Sequence, residues 1–252
     1  MSLRAVLFDA GNTLLFLDFA RMAREVGVAI GVPLTAAQLA AQAGPAAAAL
    51  ENRNTTDRER ASRYLESLFL LAGVAPEKLE LVRDTLLRMH REHPLWAGMQ
   101  AGTPEALDAL AAAGYRLAVV SNSDGRAEEA LIAAGIRDRF ELVIDSQLVG
   151  VEKPDPRIFA LALEQLGLTP EEALYVGDIY EVDVVGARRA GMDVILLDPL
   201  GLHAGRDVRT AGSVAEVAEM ILGSSEASVA SVQRSAVRGK PTDKRMALNT
   251  ER

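Results

Sequence analysis

The sequence predicts an α/β protein: a doubly wound parallel sheet with a Rossmann-like core and an all-helical segment inserted after its first strand. Three observations predict it. Through the second half of the chain, short apolar runs alternate with helical patterns of about ten residues. Several of those runs stop at a polar residue (Asp9, Ser121, Asp178), at the strand end where open α/β sheets bind ligands. Between residues 16 and 94, apolar residues instead recur at helical spacing and β-branched runs are scarce.

The first strand is Ala5 to Phe8, in R-A-V-L-F-D-A-G-N-T-L-L. It is too short for a helix and ends at Asp9, a carboxylate too costly to bury as core filler. Asp9 is therefore the candidate reactive group. The insert reads as four helices: Asp18 to Ile30, Thr35 to Asn52 with a kink or break at Gly44-Pro45, Asp57 to Ala72, and Pro76 to Glu92. Thr35 and Asp57 suit N-caps and Pro76 a first turn. Leu65, Leu68, Phe69 and Ala72 share one helix face, and Leu79, Val82, Leu86 and Met89 another, as interior packing between helices requires.

A new pattern begins at Gly102-Thr103-Pro104-Glu105, where Thr103 is the expected cap of a helix ended by Gly114. Arg116 to Val120 is a strand running into Ser121-Asn122-Ser123-Asp124-Gly125. Helix Arg126 to Ala134, strand Leu142 to Ile144 and helix Pro156 to Leu166 follow. Ala173 to Val176 is a strand ending in Gly177-Asp178, then comes helix Val182 to Ala190, and Val194 to Leu197 reads as the last strand. Right-handed crossovers place all strand carboxyl ends on one edge, so Asp9, Ser121 and Asp178 are expected on a common rim. The expected division is a core of residues 1–15 and 95–222, a helical cap of 16–94, and a disordered tail of 223–252, rich in Ser, Ala and Arg. The tail's Arg234, Arg238, Lys240, Lys244 and Arg245 are its basic residues.

Composition narrows the function. The net charge is −8, from 35 acidic and 27 basic residues, which gives no electrostatic reason to expect nucleic acid or an anionic membrane as partner. The absence of cysteine removes disulfides, thiolate metal sites and thiol catalysis. The start of the chain carries no secretory pattern and no segment is apolar for long enough to span a bilayer, so a cytoplasmic protein is expected.

Four segments then resemble the motifs of the haloacid dehalogenase superfamily, whose many phosphatases work through an aspartyl-phosphate. They are Asp9 and Thr13 in D-A-G-N-T-L, Ser121 in V-V-S-N-S-D, Lys153 in E-K-P-D-P-R-I-F, and Gly177-Asp178 with Asp183 in V-G-D-I-Y-E-V-D. The resemblance spans about residues 1–222, and the helical insert falls where that family places a cap between its first and second motifs. It implies a hydrolase acting on a small phosphorylated metabolite. Asp9 is then the nucleophile, splitting one difficult hydrolysis into two steps. Ser121 binds a phosphoryl oxygen together with the backbone N–H groups after it. Lys153, kept out of a helix by Pro154, neutralises Asp9 and the transferring group. Asn122 is a weaker candidate for orienting the substrate, and Thr13 is expected to brace the loop around Asp9.

Two converging carboxylates, Asp9 and Asp178, with no cation between them would repel, which points to a hard ion such as Mg²⁺. The resemblance implies Asp9, the Gly11 carbonyl and Asp178 as its direct ligands and Asp183 as an outer or water-mediated one.

One departure stands out. Phosphatases of this family usually carry a second aspartate two residues after the nucleophile, as acid and then base. Here that position is Gly11. General acid–base help is worth about 10²–10⁴ in rate, so slow or leaving-group-selective hydrolysis is expected, with aryl or acyl phosphates or phosphoanhydrides suffering least. Asp124, Glu152 or a cap residue are the candidate substitutes. The alternatives are a nearly inactive member that binds a phosphorylated ligand or a protein, and hydrolysis at carbon as in the dehalogenases, which need no metal. Candidate substrate contacts from the insert are Arg21, Arg24, Arg53, Arg58, Arg60, Tyr64 and Trp96; His90, His93 and His203 lack metal-ligand spacing and receive no role.

Overall fold

The structure is a computed structural model in which residues 2–49 and 57–223 are described, with side chains from residue 59 onward after the gap. The described residues form eight strands: β1 (Ala5–Phe8), β2 (Phe16–Leu17), β3 (Trp96–Gly98), β4 (Arg116–Ser121), β5 (Leu142–Asp145), β6 (Ala173–Gly177), β7 (Asp193–Leu197) and β8 (Arg209–Ala211). Six of them make one sheet in the order β5-β4-β1-β6-β7-β8, with every pairing parallel. β1 lies in the middle, Phe8 opposite Val119 on one side and Val176 on the other. Asp9 continues this frame by donating its N–H to the Val176 carbonyl at 2.8 Å. The expected doubly wound parallel sheet is what forms.

Strand periodicity explains the layering. Successive residues point to opposite faces of a strand. Val6, Phe8, Val119, Val176 and Ile195 enter one buried cluster, and Ala5, Leu7, Ala118, Tyr175 and Val194 enter the other. A parallel sheet covered on both faces needs apolar residues at both parities, which is why these strands read as unbroken apolar runs.

The helices are α1 (Phe19–Ile30), α2 (Ala36–Ala48), α3 (Asp57–Leu71), α4 (Leu79–Glu92), α5 (Thr103–Ala112), α6 (Ala127–Ala133), α7 (Ser146–Val149), α8 (Pro156–Leu166) and α9 (Val185–Arg189). A further helical run covers 214–223. Helix α5 and the 214–223 run cover the first face of the sheet through Leu107, Leu110, Val214 and Val217, and α8 covers the second through Ile158, Phe159 and Leu163. Helices α1 to α4 enclose a third cluster of their own, including Met22, Val26, Leu68, Phe69, Val82, Leu86 and Met89, with Leu65, Ala72 and Leu79 packed against it. The helical faces expected from sequence are thus the faces that pack. None of the described helices is long and apolar enough to cross a membrane.

Several boundaries differ from expectation. Helix α2 runs through Pro45 rather than breaking there. Thr35 does cap it, its hydroxyl accepting the Gln38 N–H at 3.2 Å. The cap of α5 is Gly102, in the left-handed region at φ 84°, and Thr103 is already helical. Val194–Leu197 is not the final strand: β8 adds a sixth by pairing Ala211 with Leu197. The insert leaves and rejoins the sheet domain through β2 and β3, an antiparallel pair that sequence periodicity cannot show because each is only two or three residues long. Helix α2 ends at Ala48 with Ala49 as its cap, short of the expected Asn52. Residues 50–52, Arg53 as a substrate contact, the side chains of Asp57 and Arg58, and the tail 224–252 with Arg234, Arg238, Lys240, Lys244 and Arg245 lie outside the described residues.

Candidate active site

The carboxyl edge of the sheet opens into a cleft of about 1750 Å³ shared with helices of the insert. Asp9, Gly11, Ser121, Asn122, Lys153, Asp178 and Asp183 all line it. Four segments far apart in sequence therefore meet, as the rim argument requires.

The centre is Lys153. It is buried at a turn between α7 and α8, and its ammonium donates to Asp9 Oδ1 at 2.6 Å, Asp183 Oδ1 at 2.8 Å and the Tyr175 hydroxyl at 2.9 Å. Burial alone would push this lysine down. Asp183 and Asp9 more than reverse that and hold it well above the ordinary range, so it remains charged. For Asp9, burial dominates: its carboxyl is pushed up to about 6, with Lys153 opposing the rise and Asp183 adding to it. Burial, then the charges of Asp9 and Asp183, push Asp178 well above the usual carboxylate range, against Lys153 and a hydrogen bond from the Asn12 amide.

Asp183 has both oxygens committed. Oδ1 faces Lys153 and the Tyr175 hydroxyl, and Oδ2 accepts the backbone N–H of Asp178 at 3.1 Å and of Ile179 at 2.9 Å. It therefore anchors Lys153 and fixes the turn carrying Asp178, which fits an outer position and no direct ligation. The pull of this side chain on residues 178–179 coincides with the replacement of the expected single helix by a π turn over Tyr180–Val184 followed by α9. Gly177 makes room for it, since a Cβ there would lie 2.4 Å from Asp183 Cγ. Gly177→Ala is accordingly expected to destabilise the fold by about 1–3 kcal/mol, measured by denaturant unfolding. An unchanged midpoint would show that Asp183 is free to move.

Three expectations about neighbouring residues change. Asn122 faces Lys153 rather than standing clear as a substrate group: its amide donates to the Lys153 carbonyl at 2.9 Å and accepts the Lys153 N–H at 2.7 Å. Thr13 Oγ1 is buried without a hydrogen-bond partner, so it does not brace the loop. The backbone does, with Asn12 N–H donating to the Leu15 carbonyl and Leu14 and Leu15 N–H to the Ala10 carbonyl. Asp124 is taken by His90, whose Nε2 lies 2.8 Å from its Oδ2, and this hydrogen bond holds the Asp124 carboxyl below the ordinary range, ill suited to act as an acid. Glu152 also lines the cleft.

Among the proposed contacts from the insert, Arg60, Tyr64 and Trp96 line the cleft. Arg21 is used elsewhere, donating to the carbonyls of Met89, His93 and Pro94 at the end of α4, and Arg24 pairs with Glu25. Sequence reasoning missed Tyr175 and Asn12. Tyr175 is buried in β6 and donates to the Val120 carbonyl at 3.0 Å. Asn12 sits at φ 55° and bridges Asp178 and the Trp96 indole. A tyrosine two residues before Gly177-Asp178 was the available signal for the first; the Gly-Asn turn was the signal for the second.

The residues present fit a hard divalent cation. Three carboxylates face one ammonium, and among the described residues Asp178 has no ion pair of its own. The hydrogen bonds of the 10–15 turn fall on the Ala10 and Leu15 oxygens and leave the Gly11 carbonyl unused. Among the described residues no three acid or histidine side chains form a metal-holding group by themselves. The fit thus rests on two carboxylates and a carbonyl, a set of hard oxygen donors.

Comparison with known proteins agrees with this geometry. The chain is 38% identical over 151 residues to a phosphoserine phosphatase of Thermus thermophilus, covering 58% of this chain and 59% of that protein, so the match spans about three-fifths of that relative. It is 32% identical over 213 residues to a glyceraldehyde 3-phosphate phosphatase of Methanothermobacter thermautotrophicus, covering 81% of this chain and 90% of the relative. The fold matches that of a HAD phosphatase from Thermococcus onnurineus with a TM-score of 0.55 at 23% identity, over 88% and 98% of the two chains. The family model of the haloacid dehalogenase-like hydrolases matches residues 3–191, a stretch that takes in all four segments gathered at the cleft. With the parallel sheet and the buried Asp9–Lys153–Asp183 cluster in place, the chain belongs to the haloacid dehalogenase-like hydrolases.

Proposed function

We propose that this protein is a Mg²⁺-dependent phosphohydrolase acting on a small phosphate ester through an aspartyl-phosphate at Asp9. The observation that carries the reading is the Lys153 ammonium held 2.6 Å from Asp9, with Ser121 and Asp178 in the same cleft. The relatives named as phosphoserine and glyceraldehyde 3-phosphate phosphatases support a small phosphorylated substrate.

Asp9 is placed to attack phosphorus, and Lys153 keeps it ionised while offering charge to the transferring oxygens. Ser121 ends β4 beside it as a phosphoryl contact. Asn122 fixes the backbone of Lys153, and Asp183 fixes its ammonium. Asp9, Asp178 and the Gly11 carbonyl would hold Mg²⁺. When bound, the ion offsets the mutual repulsion of the carboxylates and of the incoming phosphate. Helices α1 to α4 act as the cap that bounds the leaving-group side of the cleft. With glycine at position 11, the reaction is slow or selective for good leaving groups.

The test is phosphate release from a panel of phosphate esters, with 2-haloacids alongside. Chelation is expected to lower the rate at least about 10²-fold, and added Mg²⁺ to restore it. Halide release indifferent to chelator would overturn the reading in favour of hydrolysis at carbon. No release from any ester with Mg²⁺ present, while phosphate still raises the melting temperature, would mark a binding protein instead; the missing acid at position 11 is the observation on that side.

A further inference from the structure

We propose that the Trp96 indole N–H receives the departing oxygen of the substrate, and that the cleft takes aryl phosphates, whose leaving group departs as an anion. This rests on the phosphohydrolase reading and deepens it.

The starting point is what surrounds position 11. A Cβ on Gly11 would meet Trp96 Nε1 at 3.6 Å and Cδ1 at 3.8 Å, and nothing else within 4 Å. These are ordinary contact distances. Gly11 is also absent from the positive-φ glycines, so neither space nor backbone conformation demands a glycine there. The N–H edge of an indole therefore stands over the place a side chain at position 11 would enter.

The orientation of that edge is set by Asn12. Trp96 Nε1 donates to Asn12 Oδ1 at 3.4 Å, near the long limit for such a bond, so the proton is weakly used and can be shared with a second acceptor. Asn12 in turn is tied to Asp178. Trp96 is half-buried in β3, packed against both the sheet cluster and the insert cluster, and lines the cleft. Leu17, Phe19, Leu65 and Leu86 belong to the same apolar cluster as Trp96 and also line the cleft, alongside charged residues such as Arg60 and Arg83. An aromatic leaving group beside Trp96 finds apolar side chains and the indole N–H as donor, a combination typical of small-molecule sites.

The chemistry follows from what an indole can do. An Asp9 oxygen forms its bond to phosphorus as the bond from phosphorus to the leaving oxygen breaks, and the electron pair stays on that oxygen. The indole N–H donates a hydrogen bond but does not give up its proton at neutral pH. The oxygen leaves as a phenolate, stabilised by that bond, and takes its proton from water afterwards. Water then adds to phosphorus and breaks its bond to Asp9, restoring the carboxylate, with the water's protons passing to phosphate and solvent. A phenolate tolerates this path; an alkoxide, far more basic, does not.

The experiment compares wild type, Trp96→Phe and Gly11→Asp on ring-substituted phenyl phosphates of graded leaving-group basicity and on an alkyl phosphate, with folding checked by thermal melting. In wild type kcat/KM is expected to fall steeply with basicity and to be lowest on the alkyl ester. Trp96→Phe keeps a ring but loses the donor. It is expected to cost about tenfold more on phenyl phosphate than on 4-nitrophenyl phosphate, the size of one hydrogen bond to developing charge. Gly11→Asp supplies an acid and is expected to flatten the dependence, raising alkyl ester turnover by about 10²-fold. A second readout needs no turnover: Trp96 is the sole tryptophan, so 4-nitrophenyl phosphate added to Asp9→Asn protein should quench its fluorescence saturably. Equal losses on every ester in Trp96→Phe, no quenching, or wild-type preference for the alkyl ester would overturn the assignment while leaving the phosphohydrolase standing. Absence of wild-type phosphate release from every ester would remove both.

Discussion

Replacing Asp9 by asparagine is expected to lower phosphate release at least about 10⁴-fold, a barrier increase of about 5 kcal/mol. The side chain keeps its size in this variant but loses the charge that makes it a nucleophile. Geometry favours a clean result. Asp9 is buried at the end of the central strand, its N–H is fixed by the Val176 carbonyl, and no other carboxylate of the cleft can take its position against the sheet. Asp178 follows the end of β6, one strand over, and Asp183 is held by Lys153 and the Asp178 and Ile179 N–H groups, with the Tyr175 hydroxyl beside it. Stability is expected to change little, about 2–4 °C in melting temperature at most. Lys153 loses one anionic partner but keeps Asp183 and the Tyr175 hydroxyl, while the repulsion among three carboxylates is relieved. Steady-state phosphate release and a melting curve check both halves. Residual turnover above about a hundredth of wild type would mean that another group attacks phosphorus.

The core of this site was legible in the sequence because it lies on chain features that sequence reports directly. A strand buried on both faces must be apolar at every position, so the residue at which the run ends is conspicuous. Asp9, Ser121 and Asp178 are all such ends, and parallel topology brings such ends together. What sequence could not show depends on side chains meeting across the sheet. Asn122 looks like a substrate group until its amide is seen clasping the Lys153 backbone, 31 residues away. Tyr175 reads as one more apolar residue of β6, because a hydroxyl reaching past β1 to the Val120 carbonyl of β4 leaves no periodic trace. Trp96 was visible as the lone tryptophan, yet nothing in its neighbours says that it lies against Gly11, 85 positions earlier. Strands β2, β3 and β8 escaped for a simpler reason: two or three residues are too few to carry a period.

Lys153→Met is expected to abolish turnover and, unlike Asp9→Asn, to destabilise the fold by about 3–5 kcal/mol in denaturant unfolding. Methionine fills a similar volume, so the loss comes from charge and not from a cavity. Among the described residues, Lys153 brings the ammonium into a buried group of two carboxylates and a phenol, with a third carboxylate in the same cleft. Without it, Asp183 keeps its hydrogen bonds from the Asp178 and Ile179 backbone N–H groups but faces Asp9 and Asp178 with no cation beside it. A double variant separates this from simple misfolding. Adding Asp183→Asn to Lys153→Met removes the stranded charge and keeps an oxygen for the Asp178 and Ile179 N–H groups. The double variant should therefore be more stable than Lys153→Met alone, a coupling of about 0.5–3 kcal/mol between the two sites. Activity should not return with it, because the cation that serves Asp9 is still missing. If Lys153→Met unfolds at the wild-type denaturant concentration, the cluster is not held by this charge and Lys153 cannot be the residue that sets the nucleophile's position. If instead the double variant recovers stability without turnover, the same ammonium is shown to organise the fold around Asp9 and to serve the chemistry there as two separable contributions.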